Sequence, residues 1–157
     1  MSRATVDLPD VVRSVVDAHR HERGPLLVVL QEIQERLGCL DPEVVPLVAA
    51  EMNLSRADVH GVATFYRDFH SEPHGRALVR ICRSEACKSM GAEDLVAQVE
   101  TALAVKTGET SPDGSVTLDQ VFCLGNCALS PAAQINGRLH GRLTPDRVLA
   151  IARRDAS

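Results

Sequence analysis

Apolar residues follow two rhythms along this chain. Through the N-terminal half they recur every three or four positions, the spacing that lines one face of an α-helix. Val11, Val12, Val15 and Val16 make one such stripe, ended by Gly24. Leu26, Leu30, Ile33 and Leu37 make the next, with Pro25 suited to a first helical position and Gly38 to a C-terminal cap. Val44, Val48 and Met52 line a third helix, for which Asp41 is the expected N-cap and Pro42 the residue just inside. Ser55 and Asp58 read as a capping box before "VHGVATFYRDF". Four short helices joined by tight turns predict a small bundle over about residues 8–70.

After "HSEPHG" the pattern changes. "RALVRIC" is short, apolar and rich in β-branched residues, which predicts a buried strand over about residues 76–82. Leu95, Val96, Val99 and Leu103 then predict a helix from Ser89 to about Val105. "SPDG" is a turn, "SVTLDQVF" a second strand, and "AAQINGRLH" a β-hairpin whose Asn136 and Gly137 supply a type I′ turn. Thr144 caps a last helix that begins at Pro145 and runs to about Arg153. The order β-α-β-β-β-α predicts a small α/β sandwich. The whole is therefore expected to be α+β, with a helical bundle over residues 1–72 and a second domain over residues 73–157.

Composition narrows the function classes. A net charge of −4, with Lys and Arg scattered, argues against nucleic acid as the main partner. No apolar run approaches the ~20 residues of a membrane span. "MSRATVDLPD" has no apolar leader segment, so a cytoplasmic location is expected. There is no G-x-G-x-x-G, no P-loop and no nucleophile–base pair, which predicts a chain without a catalytic site of its own.

The five cysteines carry the chemistry. In a reducing compartment an odd count fits a disulfide framework poorly, and C-x-x-C is absent. Four cysteines form two close pairs, Cys82 with Cys87 and Cys123 with Cys127, while Cys39 stands apart and reads as a buried small apolar residue. A right-handed crossover would make the two predicted strands parallel and neighbouring, so both pairs would emerge at one sheet edge. Structural zinc is also held by four thiolates, usually in tighter knuckles. The wider C-x4-C and C-x3-C spacings fit a [2Fe–2S] cluster, with two thiolates to each iron, and zinc is the alternative. Gly125 suits the loop's backbone. Arg83, Lys88 and a helix N-terminus after Cys87 are expected to place positive charge near the sulfurs. The six histidines form no ligand pair with a cysteine.

"ICRSEACKSMG", then "VFCLGNCALSPAAQINGRLHGRLTPDRV", with "VHGVATFYRDF" upstream, resembles the thioredoxin-like [2Fe–2S] ferredoxin family, the 24-kDa subunit type of respiratory complex I. The resemblance covers nearly the whole chain. It implies a thioredoxin-like [2Fe–2S] ferredoxin domain after the bundle. It also implies one [2Fe–2S] cluster held by Cys82, Cys87, Cys123 and Cys127 but not Cys39, and single-electron exchange with the FMN of a partner subunit. Complex I members typically have Pro before the second cysteine, where this chain has Ala86, followed after Cys87 by "KSMG". That departure resembles the gamma subunit of NAD-dependent formate dehydrogenase. The implied partners are then a flavin- and NAD-binding subunit, which itself carries iron–sulfur centres, and a large molybdenum- or tungsten-containing formate-oxidising subunit. The equivalent subunits of NADH:quinone oxidoreductase and of NAD-reducing hydrogenase are the alternatives. A zinc-stabilised interaction module is the alternative of another class. Phe65, Tyr66 and Phe69 are three of the four aromatic residues. They are expected either to seal the bundle or to dock a partner.

Overall fold

The computed structural model describes residues 7–157. The first six, on which the expectation about a leader partly rests, lie outside the described residues. The chain divides into two compact units, the first ending at Pro73 and the second being His74–Ser157.

The first unit contains helices α1 (Leu8–His19), α2 (Leu26–Leu37), α3 (Val44–Met52) and α4 (Arg56–Phe65). The apolar stripes meet in one core, in which Val12, Val15, Val29, Leu30, Ile33, Val44, Val48 and Val59 are fully buried. Each buried Leu, Ile or Val contributes on the order of 1.5–3 kcal/mol. Gly38, at φ 85°, ends α2 in the left-handed conformation that a side chain disfavours. The Ser55 side chain caps α4 by accepting from the Asp58 N–H, and its own hydroxyl donates to the Asp58 carboxylate at 2.6 Å. Gln34 ties the end of the unit back to α2. Its amide donates to the Asp68 carbonyl at 2.7 Å and accepts from the His70 N–H at 2.9 Å.

Two helix starts differ from expectation. Pro25 sits one residue before α2 rather than in its first turn. Asp41 does not cap α3. Its carboxylate accepts from the Glu43 N–H at 2.9 Å, an Asx turn that uses up the capping oxygen, and the helix begins only at Val44.

His19 is held between two carboxylates, at 2.8 Å from Glu22 and 2.7 Å from Glu32. The hydrogen bond to Glu32, then that to Glu22, raises its pKa above the ordinary 6.5. The same contact with His19, followed by one with Arg36, lowers Glu32 from 4.5. A raised histidine stabilises the fold fully below pH 6.5, and that contribution is lost as pH rises through the folded-state value. A depressed glutamate contributes above 4.5 and loses its contribution as pH falls through its own lowered value. This pair therefore stabilises the bundle most between the two ordinary values, 4.5 and 6.5. Urea unfolding across pH is expected to show a loss on the alkaline side that His19→Gln flattens.

The second unit is built on a five-stranded sheet in the order β2-β3-β1-β4-β5. Its strands are β1 (Ala77–Cys82), β2 (Glu109–Thr110), β3 (Val116–Val121), β4 (Ala133–Ile135) and β5 (Arg138–His140). β1 is central, parallel to β3 and antiparallel to β4. Its crossover to β3 carries two helices, α5 (Glu85–Ser89) and α6 (Ala92–Leu103), where one helix is expected from the sequence. Gly91, at φ 87°, makes the break, since a left-handed residue cannot continue a right-handed helix. β2 escapes the sequence pattern because two exposed residues show no periodicity.

Asn136 and Gly137 both have positive φ, as the predicted hairpin turn requires. The Asn136 amide also accepts from the Leu78 N–H at 2.8 Å, tying the turn to β1. Thr144 caps α7 (Pro145–Asp155) by accepting from the Arg147 N–H. α6 and α7 pack together and against β1, enclosing Val79, Ile81, Val99, Leu118, Ile135 and Val148. The arrangement is α+β: a helical unit followed by a mixed sheet with helices.

Candidate metal centre

Cys82 is the last residue of β1 and lies in register with Val121, the last residue of β3. Because these strands are parallel, the chain leaves both at the same edge of the sheet. The ladder continues one step past the strand, with Arg83 N–H donating to the Val121 carbonyl at 2.9 Å. Cys87 returns to this edge on α5, and Cys123 and Cys127 arrive on the loop after β3. Cys82 and Cys87 are buried with Ala92 and Ala132, against Val121 and Leu124, whereas Cys123 and Cys127 are exposed. At this edge Cys82 and Cys87 thus lie on a dry side and Cys123 and Cys127 on an open one.

The loop after β3 is shaped by unusual backbone. Cys123 has φ 80° and Gly125 has φ 71°, a conformation that is costly for a residue with a Cβ. The curl brings the Gly125 N–H to 3.4 Å from the Cys123 sulfur. Backbone donors from Ser84, Cys123 and Leu124 are aimed at the Cys82 sulfur. Burial works to raise the Cys82 pKa, but these N–H groups and the Cys87 thiol hold it below the ordinary value. Cys87 Sγ lies 3.4 Å from Ser130 Oγ. Cys127 is pushed up, first by negative charge on Cys123, then by burial, and also by charge on Cys87 and Cys82. The donor set fits a cationic iron–sulfur core: N–H groups stabilise the thiolate form, and positive charge between the sulfurs would relieve their mutual repulsion.

The carrier loop is braced from the far side of the hairpin. Arg142 N–H donates to the Leu129 carbonyl at 2.6 Å, and Leu143 N–H to the Pro131 carbonyl at 3.0 Å. Gly141 lets the two segments touch, because a Cβ there would stand 2.5 Å from Leu129 Cβ. No local signal marks Gly141, since its partner lies a dozen residues away in sequence.

Several expectations need correction. Cys87 lies inside the short helix α5, and the longer helix expected to follow it begins only at Ala92. Arg83 is paired with the Glu93 carboxylate and donates to Gln120 at 2.8 Å, which offsets the positive charge expected beside the sulfurs. Phe65 is 78% exposed and Tyr66 43%, so of the three aromatics only Phe69 packs against the bundle core. Cys39 is buried in the first unit, as its reading required. Among the described residues, no three His, Cys, Asp or Glu side chains gather around a point suited to a single metal ion. No helix among the described residues is long and apolar enough to cross a membrane.

Comparison with known proteins matches residues 12–154 to the thioredoxin-like [2Fe-2S] ferredoxin family model. An NADH-quinone oxidoreductase subunit of Pseudomonas aeruginosa is 33% identical over 145 residues, spanning 90% of this chain and 87% of that protein. The NADP-reducing hydrogenase subunit HndA of Solidesulfovibrio fructosivorans is 32% identical over 136 residues, spanning 87% and 80%. Among solved structures, a chain of an air-oxidised NAD+-reducing [NiFe]-hydrogenase shares the fold, with a TM-score of 0.71 and 24% identity. That match covers 83% of this chain but only 22% of the hydrogenase chain, so this chain corresponds to about a fifth of it.

Proposed function

The chain belongs to the thioredoxin-like [2Fe–2S] ferredoxin family, which binds one such cluster, and from that premise we propose that it is the electron-carrying subunit of an NADH-linked oxidoreductase. The ligands proposed are Cys82, Cys87, Cys123 and Cys127, with Cys39 outside the set. The observation that carries this reading is the meeting of two thiol pairs at the ends of neighbouring parallel strands, with backbone N–H groups turned toward Cys82. A bound [2Fe–2S] cluster supplies one-electron exchange between two oxidation states. The chain's own residues do the rest. Cys82 and Cys87 anchor the dry side, Ala92 and Ala132 keep water from it, and the open side at Cys123 and Cys127 leaves a short path for electrons to and from a partner.

Residues 73–157 are the proposed cluster carrier and residues 1–72 the proposed assembly module. The chain performs no substrate chemistry of its own in this reading. Its proposed immediate partner is a subunit that binds NAD(H) and FMN. The two relatives are named for quinone and hydrogenase complexes. These names favour a complex I-type or hydrogenase-type parent over formate dehydrogenase. The formate reading, with its molybdenum- or tungsten-containing subunit, rests on Ala86 and residues 88–91 alone. Purifying the tagged chain from its native host tests the assignment. An FMN-containing subunit that oxidises NADH is expected to come with it, and the third component names the parent. A chain that purifies with no flavoprotein contradicts the reading.

A further inference from the structure

The bundle unit carries a groove of about 430 Å³ with an apolar floor that includes Leu40, Val45 and Phe69. Its titratable lining residues are Arg56, His60, Arg67, His70 and Tyr66, with no Asp or Glu among them. This basic character stands out in a chain of net charge −4. It also contrasts with another groove of the unit, of about 570 Å³, where Arg20 is accompanied by Glu22, Glu51 and Asp58. Arg56 and Arg67 make no ion pair or side-chain hydrogen bond with any described residue. Tyr66 stands at the groove in edge-to-face contact with Phe65 and Phe69, the ring centroids 5.1 and 6.2 Å away. These contacts limit the freedom of the exposed rings before any partner arrives, which lowers the cost of ordering them on binding.

We propose that this groove docks an acidic segment of a partner subunit, with an apolar side chain seated on the floor and carboxylates against Arg56 and Arg67. The proposal rests on the reading of the chain as a subunit and adds where and by what chemistry it assembles. Charge complementarity selects the occupant. A rim whose formal charges are the two arginines repels basic segments and steers acidic ones, and two arginines that pair with no described residue can take carboxylates bidentately. The apolar floor favours a peptide with an anchor residue over a small inorganic anion.

A benzophenone amino acid placed at Thr64, a lining residue, tests this in the complex isolated from the native host. Irradiation is expected to join the groove to one subunit, through a peptide rich in Asp and Glu with at least one large apolar residue. The double variant Arg56→Glu/Arg67→Glu is expected to lower the cross-link yield and the recovery of that subunit by about tenfold or more. Its visible spectrum is expected to stay that of the unmodified chain. A cross-link to a basic or uncharged segment, a cross-link to lipid, no cross-link from an intact complex, or full recovery with the double variant would each overturn the docking proposal while leaving the electron-carrier reading in place. A cross-link to an acidic segment of a protein without redox cofactors would keep the docking proposal and remove that reading. A chain that purifies alone and gives no cross-link would remove both.

Discussion

Cys87→Ser is expected to abolish the visible absorption of the purified chain, while Cys39→Ser leaves it unchanged. Both cysteines are buried, 2% and 4% exposed, so both substitutions place a hydroxyl where a thiol was packed. That hydroxyl costs about 1–3 kcal/mol if left without a hydrogen bond. Both variants therefore exchange a buried thiol for a hydroxyl, with Ser130 Oγ 3.4 Å from the Cys87 sulfur position. They differ in chemistry. Cys87 shares its site with the Cys82 thiol, and Cys127 responds to its charge. A serine hydroxyl at that position is a harder and far less acidic donor than a thiol, and it holds the cluster poorly in place of a thiolate. Absorption spectra of the two variants, set beside urea unfolding of each, separate loss of the cluster from loss of the fold. Absorption retained in Cys87→Ser, or lost in Cys39→Ser at unchanged stability, would mean that the ligand set is wrong.

Gly141→Ala is expected to destabilise the second unit by about 1–3 kcal/mol through overpacking. The new methyl would meet Leu129 Cβ at 2.5 Å, the Leu129 carbonyl at 2.8 Å and the Asn126 amide nitrogen at 2.9 Å. Two of these contacts are with a residue whose carbonyl already accepts from Arg142 N–H, so the clash cannot be relieved by rotating one side chain. The loop from Asn126 to Leu129 must move, and Cys127 moves with it. A changed electron paramagnetic resonance line shape in the reduced protein is therefore expected alongside the lost stability. Gly137→Ala is the control. Nothing lies within 4 Å of a Cβ there, but φ is 77°, so the substitution strains the hairpin by about 1–2 kcal/mol without pressing on the cysteine loop. A line shape altered equally by both variants, or by neither, would show that Gly141 does not position Cys127.

Much of this architecture is legible in the sequence, for reasons that particular residues make plain. The stripes through Val12, Leu30, Ile33 and Val48 are long enough for the helical period to declare itself. The strand ending at Cys82 reads as a buried apolar run and "SVTLDQVF" as a strand by its alternation, and the handedness of the crossover makes them parallel neighbours. That inference brings two distant cysteine pairs to one edge. What escaped depends on contacts between residues far apart in sequence. The approach of Gly141 to Leu129, the pairing of Arg83 with Glu93, and the positive φ of Cys123 leave no periodic mark. Asp41 misleads because one carboxylate can either cap a helix or close an Asx turn, and both options share a sequence signature. The aromatic run at Phe65 leaves its two readings open in the sequence, since composition does not reveal which rings face water.

The most direct test of the two-pair thiolate site is the metal and sulfide content of the full chain, purified anaerobically, with its magnetic resonance spectrum before and after reduction. The expected result is a red-brown protein holding about two iron atoms and about two acid-labile sulfides, with a paramagnetic signal that develops on reduction. A colourless protein holding about one zinc, with neither sulfide nor a reducible signal, would contradict it.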